Sequence, residues 1–173
     1  MRSYKKLRMY IHAEAQAAGT PLYDGDITAF VRLGTDYTQN YYEYEIPLQV
    51  TAPGNYDGNI ENDRYEVWKF ANEMELVFAD LQETKQARNR AMYIGNASLT
   101  KRFDTTITDP EGRTRQVYVK GNPNLSEVRT IMIGIRNPKR SGPGVDDDGL
   151  PKCAEVWVNE LRLADFDEKG GWA

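Results

Sequence analysis

Apolar and polar residues alternate with a period of two along several stretches of the chain. In the first stretch the apolar positions are Leu7, Met9 and Ile11, and charged or polar side chains lie between them. Residues 26–36 repeat the alternation. Such a period is typical of a β-strand with one buried face and one polar face. Both stretches are therefore predicted to be strands.

The alternation is strongest in residues 40–51, which predict a third strand. Its apolar face comprises Tyr42, Tyr44, Ile46, Leu48 and Val50, and its polar face comprises Glu43, Glu45 and Gln49. Pro47 lies on the polar side. Because proline has no backbone N–H to donate to a neighbouring strand, it predicts an edge strand or a bulge at this place.

The middle of the chain changes character. Residues 51–64 are rich in Gly, Asn, Asp and Pro, and they predict a long loop. Residues 64–70 and 72–78 each predict a short strand. The following residues are good helix formers without Gly or Pro, and they predict one helix over 79–90 that ends before Gly95.

Strand patterns return in the last third of the chain. Residues 97–121 predict a hairpin whose turn lies at 109–112, where Asp, Pro, Glu and Gly follow one another. Residues 128–138 predict a strand with three isoleucines on one face, namely Ile131, Ile133 and Ile135. A surface loop rich in Gly, Pro and Asp then leads to a final strand over 154–166.

These elements predict an all-β fold. The pattern contains eight or nine strands, one helix and no alternation of strands with helices. An antiparallel β-sandwich or jelly roll with one α-helix as an insertion fits this order. No interdomain linker interrupts the pattern, so residues 1–173 are expected to form a single domain.

Composition narrows the possible functions. The net charge is −4 and the pI is about 5.2, whereas a nucleic-acid-binding domain is expected to carry a basic face. The single cysteine, Cys153, excludes an internal disulfide. We find no nucleophile elbow, no glycine-rich phosphate loop after a strand and no paired cysteines, so we expect a non-catalytic domain without a cofactor.

Two weak metal candidates occur. Asp146, Asp147 and Asp148 follow one another in the last loop, and calcium prefers several carboxylate oxygens. Three consecutive aspartates need further ligands to surround one ion, so a solvated loop is the competing interpretation. His12 stands without the additional His or Cys ligands that a zinc site requires.

Carbohydrate binding is the second functional class that the residues allow. Aromatic rings on the surface of a β-sandwich can stack on sugars. Tyr42 and Tyr44 share the apolar face of the third strand, so core packing is expected for both. Tyr37 and Tyr41 are the tyrosines of this cluster that remain free for stacking.

The C-terminal stretch resembles a known family. The segments GLPKCAEVWVNELRL, residues 149–163, and FDEKGGWA, residues 166–173, resemble the SprA/Sov family of gliding-motility and type IX secretion proteins. YKKLRMYIHAEA at residues 4–15 and LQETKQARN at residues 81–89 are also similar to this family, less specifically. The resemblance covers nearly the whole chain.

The resemblance implies a location and partners. Proteins of the SprA/Sov family form a very large β-barrel translocon in the outer membrane, through which folded cargo proteins pass. The chain is then expected to be an excised domain, soluble in the periplasm or outside the cell, that meets the membrane only through its parent protein. Its expected partners are the rest of the parent barrel, secreted cargo and accessory secretion subunits, with no nucleic acid among them.

A second resemblance concerns the fold. The first and last strands are similar to those of galactose-binding-like jelly rolls, in which these strands often pair and the last strand carries a polar pair. Asn159 and Glu160 occupy that place here. The apolar residues change parity across this pair, so a β-bulge is expected there. Asn159 and Glu160 are candidates for a ligand contact or for a structural hydrogen bond.

Three functional classes remain after the residues and both resemblances are considered. The preferred one is an interaction domain, which a large exposed apolar patch would support. The alternative is a carbohydrate-binding jelly roll, which a groove lined by exposed aromatic rings would support. An enzyme would need a pocket with converging polar groups, and the sequence indicates no such group of residues.

Overall fold

The structure of the chain is a computed structural model that describes residues 4–16, 21–109, 111–138 and 150–166. It contains eight strands and two α-helices within these ranges, in the order β1 (Tyr4–Ala15), β2 (Thr28–Gly34), β3 (Tyr41–Pro47), α1 (Glu61–Val67), β4 (Met74–Val77), α2 (Phe78–Tyr93), β5 (Phe103–Thr108), β6 (Thr114–Lys120), β7 (Thr130–Arg136) and β8 (Ala154–Phe166). Short 3₁₀-helices span Phe70–Asn72 and Leu125–Glu127.

The strands form two antiparallel sheets. The smaller sheet has three strands in the order β4-β1-β8, and the larger has five in the order β5-β6-β3-β2-β7. The predicted all-β, antiparallel sandwich is confirmed. The first and last strands are neighbours, as the second resemblance implied, since β1 pairs with β8 along almost its whole length.

The core lies between the inner faces of the two sheets. The alternation predicted for the strands places every second side chain in it. Its members on the strands include Leu7, Met9, Ile11 and Ala13 of β1, Ala29, Val31 and Leu33 of β2, Tyr42, Tyr44 and Ile46 of β3, and Val117 and Val119 of β6. All of these side chains are buried.

Helix α2 closes one side of the sandwich. It packs against β5 and β6 of the larger sheet and against β1 and β4 of the smaller one, and Phe78 and Leu81 join the core. The predicted helix is confirmed and is slightly longer than expected. Gly95, which follows its end, has a φ of 76°, a backbone conformation in which glycine is favoured.

A second helix, α1, was not predicted. It occupies Glu61–Val67, within the segment for which the sequence predicted a loop and then a short strand. The prediction was wrong because α1 has no buried residue. A helix without an apolar stripe produces no helical periodicity in the sequence.

No helix within the described ranges is long and apolar enough to cross a membrane.

Strand β3 is central rather than at an edge. It pairs with β2 on one side and with β6 on the other, so the edge-strand interpretation of Pro47 was wrong. Pro47 is the last residue of β3 and is exposed, and the β6 pairing extends only from Tyr41 to Glu45. Its missing N–H therefore interrupts no pairing with β6.

The polar face of β3 is buried as well. Glu43 has no exposed surface, although it lies opposite the core. Both of its carboxylate oxygens bind arginines: Nε of Arg32 lies 2.8 Å from Oε2, and Nη2 of Arg136 and Nη1 of Arg102 lie 3.0 Å and 3.1 Å from Oε1. A buried carboxylate is tolerated when it is paired and hydrogen-bonded in this way.

The arginines extend the network across the outer face of the larger sheet. Arg136 also pairs with Glu45, which accepts a hydrogen bond from Thr28. Burial by itself lowers the pKa of Arg136, but the charges of Glu43 and Glu45 outweigh it and raise the pKa above its ordinary value. The network therefore holds β2, β3 and β7 together through their side chains.

Aromatic rings lie beneath these guanidinium groups. Arg136 and Arg32 lie over the ring of Phe30, 4.5 Å and 5.5 Å from its centroid. Phe30 in turn lies on Gly134 of β7, where an added Cβ would come within 2.4 Å of the ring. Position 134 therefore needs glycine because the ring of Phe30 occupies the space of a side chain.

We predict that Glu43→Gln lowers the free energy of unfolding by about 3 kcal/mol, because it leaves several arginines without their buried counter-charge. Urea denaturation of the purified chain measures this change. Glu127→Gln, an exposed position, serves as the matched control and is expected to change stability by less than about 0.5 kcal/mol. Equal stability of the two variants would contradict a structural role for Glu43.

We also predict that Gly134→Ala destabilises the chain by about 1–3 kcal/mol, because the new methyl group overlaps the ring of Phe30. Gly58→Ala is the control, since no atom of the described residues lies within 4 Å of its Cβ position. Adding Phe30→Leu to Gly134→Ala is expected to recover part of the loss. Additive effects of the two substitutions would show that the overlap is not the cause.

Candidate functional site

Two edge strands carry rows of exposed aliphatic side chains. On β7 the row is Ile131, Ile133 and Ile135, which pair across the sheet with Leu33, Val31 and Ala29. Directly paired residues project from the same face of a sheet. Because the β2 partners are buried in the core, the three isoleucines lie on the core-facing side of the sheet, yet each is at least 36% exposed.

Strand β8 shows the same feature. Val158 pairs with Ile11 and Leu163 with Leu7, both core residues of β1. Leu161 lies between them on the same side, and the three side chains are 37–41% exposed. We call the three residues on β7 and the three on β8 the edge rows. They are core-facing side chains that no part of the described chain covers fully.

The predicted β-bulge makes the β8 row possible. Arg8 pairs with Arg162 and Tyr10 with Asn159, so β8 has one residue more than β1 across this interval. Glu160, within it, has a φ of 55°. The bulge expected at Asn159 and Glu160 is confirmed, and it reverses the parity of the strand.

Asn159 and Glu160 themselves are exposed. The carboxylate of Glu160 accepts a hydrogen bond of 3.3 Å from Nη1 of Arg162, which lies in the same strand. Neither side chain lines the pocket described next. Their proposed roles as a ligand contact or as a structural bond to a loop stay predictions.

A pocket of about 330 Å³ lies on the face of the smaller sheet that points away from the core. The side chains of His12, Glu14 and Trp157 form its floor, on strands β1 and β8. The segment that leads into and forms α1 covers it, with Tyr56, Asp57, Asp63, Arg64 and Trp68 among the lining residues. The helix that the sequence did not predict therefore forms one wall of the pocket.

His12 lines the floor of the pocket and is 3% exposed. Its Nδ1 is 2.8 Å from the carbonyl oxygen of Val67, which can only accept, so Nδ1 carries a hydrogen. Thr51 donates its hydroxyl to the carbonyl of Glu66, 3.0 Å away. The His12 contact ties β1 to the end of α1 and orients the imidazole ring, and the Thr51 contact ties the segment after β3 to the same helix.

Two tryptophans flank the imidazole. The centroid of the Trp157 ring lies 5.6 Å from that of His12 with the planes tilted by 59°, and Trp68 lies 6.1 Å away at 63°. Trp157 is 53% exposed, so about half of its surface is open. The pocket thus has aromatic surface on two sides of a buried polar ring.

The charge of the pocket is predominantly negative. Three carboxylates, those of Glu14, Asp57 and Asp63, line it together with one guanidinium, that of Arg64. Two of the carboxylates are engaged within the covering segment, since Asp57 accepts from the backbone of Asn59 at 2.9 Å and Asp63 from that of Asp57 at 2.7 Å. Glu14 lies 3.5 Å from Nε2 of His12.

The pair of tyrosines expected to stack on sugars is not a pair of free rings. Tyr37 is 42% exposed, whereas Tyr41 is buried, so the expectation for Tyr41 was wrong. The guanidinium of Arg32 lies over the ring of Tyr41 at 4.0 Å from its centroid and occupies that face. Arg32 is held there by Glu43, which the strand pattern could not reveal.

The residues considered as metal ligands in the sequence lie in two different situations in the structure. Asp146, Asp147 and Asp148 lie outside the described residues. Within the described ranges, no group of three or more His, Cys, Asp or Glu side chains could hold a metal ion. His12 uses Nδ1 for the hydrogen bond to Val67.

Sequence reasoning missed the pocket. Its residues come from the first strand, from residues 56–68 and from the last strand, and no local spacing connects these three places. Trp68 and Trp157 are visible in the sequence, but their partial exposure is visible only in the structure. Only the pairing of β1 with β8 shows that Trp157 lies directly opposite His12.

Comparisons with known proteins identify the family. A search of curated proteins found no match to the chain. The family model SprA_N, described as motility related/secretion protein, matches residues 1–173, the whole of the chain. The resemblance noted in the sequence is therefore confirmed, and the chain belongs to the SprA_N family of motility-related and secretion proteins.

Proposed function

We propose that the chain is a non-catalytic interaction domain of a type IX secretion translocon in the outer membrane. Membership in a motility and secretion family supports this proposal. The similarity of residues 149–173 to the SprA/Sov proteins supports the more specific assignment to type IX secretion. The domain then acts within a larger parent protein, on the periplasmic or the extracellular side.

The edge rows are the observation that carries the proposal. Burial of apolar surface stabilises by about 25 cal/mol per Å², so aliphatic side chains on a core-facing side are expected to gain from a covering partner. Exposed apolar patches of this kind mark interaction sites. Here the six side chains come from two strands of different sheets, and both strands are sheet edges.

Edge strands also offer hydrogen bonds to a partner. The outer sides of β7 and β8 are not paired with another strand of the described chain. An extended segment can add to such an edge through its main chain while its side chains meet the exposed aliphatic row. Candidate partners are the neighbouring parts of the parent protein, secreted cargo and accessory secretion subunits.

We predict that Ile133→Glu or Val158→Glu in the intact parent protein reduces secretion of a type IX cargo by about tenfold or more. A charge buried in an apolar contact costs several kcal/mol, and each 1.4 kcal/mol or so corresponds to tenfold in binding. The measurement is the fraction of cargo released into the medium, with the amount of parent protein determined by immunoblotting.

Ile94→Glu is the matched control, because Ile94 is an aliphatic residue that is 72% exposed and lies outside the edge rows. It is expected to secrete like the unchanged protein. Normal secretion by all three variants would reject the edge rows as the contact surface. Normal secretion by cells that lack the parent protein altogether would reject the type IX assignment itself.

A further inference from the structure

We propose that the pocket between β1, β8 and α1 binds an organic cation, the ammonium or guanidinium group of a lysine or arginine side chain. This inference rests on the pocket alone and is independent of the proposed role in secretion. It follows from the aromatic walls, from the charge of the lining and from the atoms that remain available at the floor.

The aromatic walls favour a cation. The face of an indole ring attracts ammonium and guanidinium groups, and tryptophan is the strongest of the aromatic side chains in this respect. Trp68 and Trp157 stand on either side of His12, and Tyr56 also lines the pocket. A cation that enters between them is close to aromatic surface while it loses water.

The charge of the pocket lining also favours a cation. Three carboxylates face one guanidinium, and Arg64 is engaged by the carbonyl oxygen of Gly58 at 2.9 Å. An anionic ligand would meet three carboxylates and a single guanidinium. A cationic ligand would be attracted to it over the whole approach.

Atoms at the floor of the pocket define where the cation sits. Because Nδ1 of His12 donates to the carbonyl oxygen of Val67, Nε2 is the ring nitrogen left for other contacts. Nε2 lies 3.5 Å from Oε2 of Glu14. His12 is almost fully buried and so cannot turn Nε2 to bulk water. A cationic group that enters beside Glu14 would bring its N–H donors to this carboxylate at the floor of the pocket.

Among the carboxylates of the pocket, Glu14 is the one best placed to meet the ligand. Those of Asp57 and Asp63 already accept backbone N–H groups of the covering segment. The side chain of Glu14 is 37% exposed and so remains accessible to an incoming group. We assign it the role of counter-charge, with Trp68 and Trp157 as the flanking surfaces.

The volume sets a limit on the ligand. About 330 Å³ lies at the lower end of the range for small-molecule sites. This suffices for one long side chain with its cationic end and not for a folded peptide. A lysine or arginine that projects from the surface of a polypeptide fits the volume and the charge.

The test is an NMR titration of the chain at constant ionic strength, in which the indole N–H signals of Trp68 and Trp157 are followed. The probes are N-acetyl-lysinamide and N-acetyl-argininamide, with N-acetyl-norleucinamide as the neutral counterpart of lysine. We expect both cations to shift the two signals and norleucinamide to leave them in place. Butylammonium tests a free amine, which binds more weakly if the backbone of a polypeptide contributes.

Two substitutions test the assigned residues. Glu14→Gln keeps the shape of the side chain and is expected to weaken binding of both cations by about tenfold, the effect of roughly 1.4 kcal/mol. Trp157→Leu removes one aromatic surface at a half-exposed position and is expected to weaken binding severalfold. Glu127→Gln and Tyr93→Leu, which change an exposed carboxylate and a ring that is 91% exposed, are the matched controls.

Particular outcomes would overturn the proposal. Equal binding of norleucinamide and lysinamide would show an apolar pocket without selectivity for charge. Shifts caused by methyl glucoside in place of either cation would assign the pocket to sugars. Unchanged affinity in Glu14→Gln, with the variant folded by its NMR spectrum, would remove Glu14 as the counter-charge.

Discussion

The carboxylate of Glu43 sets the main constraint on this fold, because it lies fully buried on the side of β3 that faces away from the core. A charge in that position has to be paired. Arg32 on β2, Arg136 on β7 and Arg102 before β5 all reach it. The larger sheet is therefore covered on its outer face by its own arginines and by the aromatic rings beneath them, and both faces of its central strand are buried.

This arrangement leaves the edges of the sheets as the places open to partners. Helix α2 covers one side of the sandwich, and the arginine network covers the outer face of the larger sheet. Strands β7 and β8 are edge strands of the two sheets. Their core-facing aliphatic side chains are among the exposed large apolar residues of the described chain. Charged residues of the larger sheet lie on its covered outer face, whereas aliphatic residues lie exposed at the sheet edges. This distribution suits a domain that binds other proteins through its edges.

The sequence predicted the strands because their side chains alternate, and it predicted α2 because residues 79–90 are good helix formers without Gly or Pro. It could not predict that Glu43 is buried, since alternation assigns a residue to a face and says nothing of what covers that face. Tyr41 was misjudged for the same reason, as Arg32 lies over its ring. Helix α1 left no periodic signal because it has no buried residue. The pocket depends on that helix, so it was missed together with it.

A single extra residue in β8 connects the two candidate surfaces. Without it, Leu161 and Leu163 would share the parity of Trp157 and would face away from the core. The bulge opposite Arg8 and Tyr10 turns them inward, where they continue the aliphatic row that begins at Val158. Trp157, which precedes the bulge, stays outward beside His12. One strand thus presents an aliphatic row on its inner side and an aromatic wall on its outer side, and the parity change at Asn159 and Glu160 is what allows both.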